Sequence, residues 1–122
     1  MEAARQIKDS DSRSKAFCEV VSALAQAGQF EQALEAARQI EDSNSRWWAV
    51  YEVVKALAQA GQAEQALELA RQIKDARRRS EAFRAVALAL AQAGQAKQAL
   101  EAARQIEDAR RRSEAFRDVA LA

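Results

Sequence analysis

Apolar and polar positions alternate along this chain with the period of a helix, and the whole pattern repeats every 33 residues. The string ALAQAGQ stands at 23–29, 56–62 and 89–95, and ARQI at 4–7, 37–40, 70–73 and 103–106. Each unit reads as two helices. Helix A spans 10–27, with Asp9 as its N-cap and Asp42, Asp75 and Asp108 in that role later. Its expected buried stripe is Ala16, Val20, Ala23, Leu24 and Ala27. Arg13 follows Asp9 by four positions, and Arg46, Arg79 and Arg112 follow their aspartates likewise, a spacing that predicts i,i+4 ion pairs. Gly28, Gly61 and Gly94 end helix A. Helix B spans 30–41, with Phe30, Ala33, Leu34, Ala37 and Ile40 as its apolar stripe. Short connections make the two helices antiparallel. The expected fold is all-α, an α-solenoid of antiparallel helix pairs with about eight helices. It forms a single repeat domain, with a half repeat over 1–8, repeats over 9–41, 42–74 and 75–107, and a partial repeat over 108–122.

Composition supports that architecture. The chain has no Pro, three Gly and seven aromatic residues (four Phe, two Trp, one Tyr). Alanine-rich helices approach closely but bury little area each, which suits stacked units better than a thick globular core. The net charge of +1 names no partner, but its distribution is uneven. Residues 1–75 carry nine Lys/Arg against twelve Asp/Glu, and residues 76–122 carry ten against six. A single Cys forbids an internal disulfide and fits a reducing intracellular compartment. Neither a signal peptide nor a membrane span is visible, so no membrane partner is expected.

The segment AGQFEQALEAA at 27–37 resembles the centre of a tetratricopeptide repeat. That family sets a glycine at the hairpin turn, an aromatic two residues later and a small residue three further on; here they are Gly28, Phe30 and Ala33. Phe17, Val20 and Leu24 fall where the family places large helix A residues. The period departs from the family's usual length of about 34, the turn aromatic becomes Ala63 and Ala96, and the proline after helix B is missing. Residues 76–88 and 109–121 are nearly identical, as in a designed or recently duplicated array. The resemblance implies a superhelical, non-enzymatic scaffold that binds a protein or peptide segment in a groove lined by helix A.

Helix B barely changes between units, whereas one face of helix A changes strongly. Positions 15, 48, 81 and 114 read Lys, Trp, Glu, Glu; positions 18, 51, 84 and 117 read Cys, Tyr, Arg, Arg; and positions 22, 55, 88 and 121 read Ser, Lys, Leu, Leu. Spacings of three and four put each set on one face. The expected groove comprises Lys15, Cys18, Trp48, Tyr51, Lys55, Glu81, Arg84, Leu88 and Arg117. Trp48 and Tyr51 are the expected anchors, since large aromatics dominate binding energies. Trp47, which replaces a serine of the other units, is expected to pack beside Phe17 or Phe83. A second expectation is self-assembly through repeat ends, using Ala3, Ala4 and Ile7 of a helix over 2–8 together with Val119 and Leu121.

Catalytic chemistry has little to work with. There is no His, the commonest general base, and no cofactor or metal is expected. Asp9-Ser10-Asp11-Ser12 resembles the start of a calcium loop, but Ser14 and Val20 stand where that loop needs glycine and a bidentate carboxylate. Cys18 has no histidine to activate it, and Lys15 is expected to lower its pKa slightly. Arg77-Arg78-Arg79 and Arg110-Arg111-Arg112, with Arg84 and Arg117, are candidates for phosphate contact. Near-neutral charge makes a nucleic-acid partner the weaker reading. Arg-Arg-Arg-Ser at 77–80 also matches a basophilic kinase site.

Overall fold

The computed structural model describes residues 10–122. The described residues form seven helices and no strand. They are α1 (Ser10–Gln26), α2 (Phe30–Arg38), α3 (Ser43–Gln59), α4 (Ala63–Arg71), α5 (Ala76–Gln92), α6 (Ala96–Arg104) and α7 (Ala109–Leu121). The helix expected over 2–8 and the Asp9 cap lie outside the described residues. Long and short helices alternate as the repeat predicts. The chain falls into two compact units, Met1–Ala56 and Leu57–Ala122, with the boundary inside α3.

Three kinds of residue set the helix limits. Asp42 Oδ2 accepts from the Ser45 backbone N–H at 2.8 Å, and Asp75 and Asp108 accept from the N–H groups of Arg78 and Arg111 at 3.0 Å. Each aspartate thereby satisfies a donor that the first helical turn leaves unpaired. Gly28, Gly61 and Gly94 sit at φ +80°, +83° and +80°. The following N–H of Gln29, Gln62 and Gln95 reaches back to Leu24, Leu57 and Leu90 at 2.9 Å, closing a Schellman turn each time. Helix B ends at Arg38, short of the predicted residue 41. Bonds from Gln39 N to Ala36 O and from Ile40 N to Ala37 O tighten its last turn into 3₁₀ geometry. The same close recurs after α4 and α6.

In the first unit α1 packs against α2. Phe17, Val21 and Ala25 are buried on α1, and Ala33, Ala36 and Ala37 on α2, with Ile40 just beyond. The expected α1 stripe is therefore out of phase by one residue, about 100° of helix. Ala16, Val20 and Leu24 are half-buried flanks, while Ala23 and Ala27 are exposed. Alanine is the cause: a methyl group contributes little area in either place, so its frequency blurs the phase of the apolar pattern. In the second unit α5 packs against α4, α6 and α7, and α6 also contacts α7. Leu57, Leu67, Phe83, Val86, Leu90 and Ile106 are its large buried side chains, interleaved with Ala66, Ala70, Ala99, Ala102 and Ala103.

Candidate functional site

The junction between helix B and the next helix A is built by an arginine. Arg46 Nη1 donates to the Ile40 carbonyl at 2.8 Å and to that of Glu41 at 3.3 Å. Arg79 repeats this on Ile73 and Lys74, and Arg112 on Ile106 and Glu107. These carbonyls are among those left open where helix B stops. The expected i,i+4 pairing with the capping aspartate is thus corrected: the guanidinium turns back to the preceding helix. Its other nitrogen extends forward. Arg13 Nη2 meets Glu41 at 3.1 Å, and Arg79 Nη2 meets Glu107 at 2.9 Å.

Within the first unit, α1 and the start of α3 enclose a hollow of about 670 Å³. Asp11, Ser14, Lys15, Cys18, Glu19 and Ser22 line one side, and Asp42, Asn44, Ser45 and Trp48 the other. Lys15, Cys18 and Trp48 of the expected groove are brought together here. Trp48 is 44% exposed. Three carboxylates, Asp11, Glu19 and Asp42, face one ammonium, Lys15. The Asp42 carboxyl is held below the usual range, first by the Ser45 N–H and then by the Ser45 hydroxyl, so it carries full charge at neutral pH. Cys18 Sγ approaches the Ser45 carbonyl at 3.8 Å. Its thiol pKa is pushed up by partial burial and then by Asp42 and Glu19, which overturns the lowering expected from Lys15.

Tyr51 and Lys55 do not line this hollow. They share a row of α3 with Trp47, whose ring lies 5.2 Å from that of Tyr51 at 51°. Lys55 Nζ lies 5.4 Å from the Tyr51 centroid and 3.8 Å from Glu52. Trp47 is half-buried, and the aromatic ring beside it is that of Tyr51.

The second unit contains the corresponding hollow two repeats further on, at about 110 Å³. Arg77, Ser80, Glu81, Arg84, Ile106, Arg111 and Glu114 line it. Arg84, at the position of Cys18, closes it: Nε meets Asp118 at 2.6 Å and Nη1 meets Glu114 at 3.6 Å. Glu114 stands at the position of Trp48, and Arg111 at that of Ser45. A thiol and a hydroxyl thus stand in the larger hollow where two guanidinium groups stand in the smaller one.

No protein-family model, curated protein or solved structure matches this chain.

The remaining candidates are scattered. Leu88 is half-buried, Arg117 is exposed, Val119 is half-buried and Leu121 is 80% exposed. Ala3, Ala4 and Ile7 lie outside the described residues. Five of the six run arginines make contacts within the chain: Arg77 pairs with Glu81, Arg78 with Asp75 and Arg110 with Glu114 at the exposed surface, while Arg79 and Arg112 hold carbonyls. That weakens the case for a phosphate-binding surface. Ser80 is buried, so the kinase motif presents no accessible hydroxyl. Among the described residues no His/Cys/Asp/Glu group is arranged to hold a metal, and no helix is long and apolar enough to cross a membrane. Sequence reasoning missed Asp11, Ser14, Glu19, Asp42, Asn44 and Ser45 as lining residues. The available signal was side-chain size: Cys18, Asn44 and Ser45 are all arginine in the last repeats, at Arg84, Arg110 and Arg111.

Proposed function

We propose that this chain is a non-catalytic, tetratricopeptide-like repeat scaffold that binds a protein or peptide segment through its helix A face, at the hollow between α1 and α3. One observation carries the reading. The same position of the repeat is closed by the Arg84 ion pairs in the second unit and left open beside a half-exposed tryptophan in the first. The repeat framework tolerates both, so the open form is not required for packing. Concave, largely apolar sites with a few polar groups are where proteins take ligands, and a tryptophan at the centre of a contact is a common energetic anchor. The test is selection from a random peptide library displayed on phage, carried out on the wild type and on Trp48→Ala. Recovered peptides should bind the wild type and lose about 2 kcal/mol on the variant. Recovery of no Trp48-dependent binder removes the reading.

A further inference from the structure

The second hollow contains its own answer to what fits the first. There the half-exposed Arg84 guanidinium lines the hollow and pairs with Glu114 of its lining and with Asp118 beyond it. In the first hollow the chain supplies no arginine: the position is Cys18. Carboxylates at other positions of the repeat line it instead, with Asp11, Glu19 and Asp42 opposed by Lys15 alone. Trp48 replaces Glu114, which exchanges an ion-pair partner for an aromatic face, and an indole is the best side chain for receiving a cation. Arg13 and Arg46, the nearby arginines of this unit, reach the Glu41 carboxylate and the carbonyls of residues 40 and 41.

From these facts we infer that the α1–α3 hollow binds an arginine side chain presented by a peptide segment of another protein. Its guanidinium lies against the Trp48 indole, within reach of the Asp11, Glu19 and Asp42 carboxylates. Burial, and after it the Asp42 and Glu19 carboxylates, push the Cys18 thiol pKa up, in keeping with those same charges. A second copy offers fewer arginines for this role: Arg77, Arg78, Arg79, Arg110 and Arg112 have partners within their own chain, and the exposed Arg38 and Arg117 are the exceptions that the experiment must exclude.

This inference rests on the peptide-scaffold reading, and the experiment separates the two. Capped peptides of Gly, Ser and three Arg are titrated into the full chain, alongside versions with citrulline, Lys or Glu in place of Arg. Indole fluorescence and calorimetry read the binding. The Arg peptide should bind about tenfold more tightly than its neutral citrulline isostere, and the Glu peptide should not bind. Raising salt to about 1 M, where screening acts within roughly 3 Å, should erase most of the difference. Trp48→Ala and Glu19→Gln should each weaken the Arg peptide several-fold. Cys18→Arg should abolish binding by seating an internal arginine as Arg84 does, while Cys18→Ser leaves it intact. Circular dichroism of each variant checks that the helices persist. Equal affinity for arginine and citrulline peptides overturns the inference; Trp48-dependent binding of the neutral peptide would still leave the scaffold reading standing. Self-association of the wild type, lost in Cys18→Arg, would assign the hollow to a second copy and overturn the peptide partner.

Discussion

At the scale of single residues, the turn glycines and the capping aspartates act through different terms. A Cβ built at Gly61 meets nothing within 4 Å, so only its left-handed backbone resists substitution. Gly61→Ala should therefore cost about 1–2 kcal/mol in urea unfolding, the conformational penalty alone; a larger loss would mean a packing role for the glycine. Asp42 and Asp108 have carboxyl pKa values lowered by backbone N–H groups, Ser45 for the first and Arg111 for the second. A depressed folded-state pKa stabilises the fold above the unfolded value of about 3.9 and loses that contribution as pH falls through the folded value. The melting temperature should fall on acidification below about pH 4. Asp42→Asn with Asp108→Asn should flatten that acid limb, because asparagine keeps the cap and cannot titrate. Both features were legible in the sequence, since Gly after an apolar run and Asp before one are local signals.

At the scale of helices, the junction arginine is the feature that spacing concealed. Arg79 stands four residues after Asp75, and local geometry alone suggests an ion pair. Its guanidinium instead reaches the carbonyls of Ile73 and Lys74, because the tight close of α4 leaves them pointing at the start of α5. Arg79→Ala should destabilise the second unit by about 2 kcal/mol, the scale of charge-assisted bonds to partly buried groups. Arg79→Lys should recover little, since an ammonium lacks the planar fork that serves two carbonyls and Glu107 together. Thermal unfolding of the three proteins decides this; full recovery by lysine would reduce the contact to charge. The buried line of α1 and the true end of helix B were also hidden. One depends on which alanines happen to face a neighbour, and the other on hydrogen bonds made beyond the helix itself.

For the whole molecule, the cores of the two units differ in substance. The second unit holds Leu57, Leu67, Phe83, Leu90 and Ile106, while the first relies on Phe17, Ile40 and the valines Val21, Val53 and Val54 with many alanines. Leu90 is fully buried, and Leu90→Ala should cost about 3 kcal/mol by opening a cavity that rigid helices cannot fill. Hydrogen exchange should place the faster amides in α5–α7, with those of α1 and α2 little changed. Uniform acceleration over the chain would show that one cooperative transition joins both units. The candidate hollow was half legible at this scale. Lys15, Cys18 and Trp48 were marked by their variation, whereas Tyr51 and Lys55 belong to another row of α3 and the acidic rim depends on how α1 meets the start of α3.

The position of the Schellman turns fixes where such a chain can be cut and rejoined. A module that begins at a capping aspartate separates Arg79 from the carbonyls of Ile73 and Lys74. One that begins inside the glycine turn parts Gln95 from Leu90. A module running from 63 to 95 keeps the Arg79 clamp and the closing bond of the turn within one piece. The contacts it leaves to the neighbouring piece are exposed ones, Arg71–Gln105, Arg79–Glu107 and the Arg84 pairs with Glu114 and Asp118, and an exposed ion pair is worth less than about 1 kcal/mol. Grafting by that frame moves the hairpin junctions intact, so segments carrying different helix A faces become interchangeable parts.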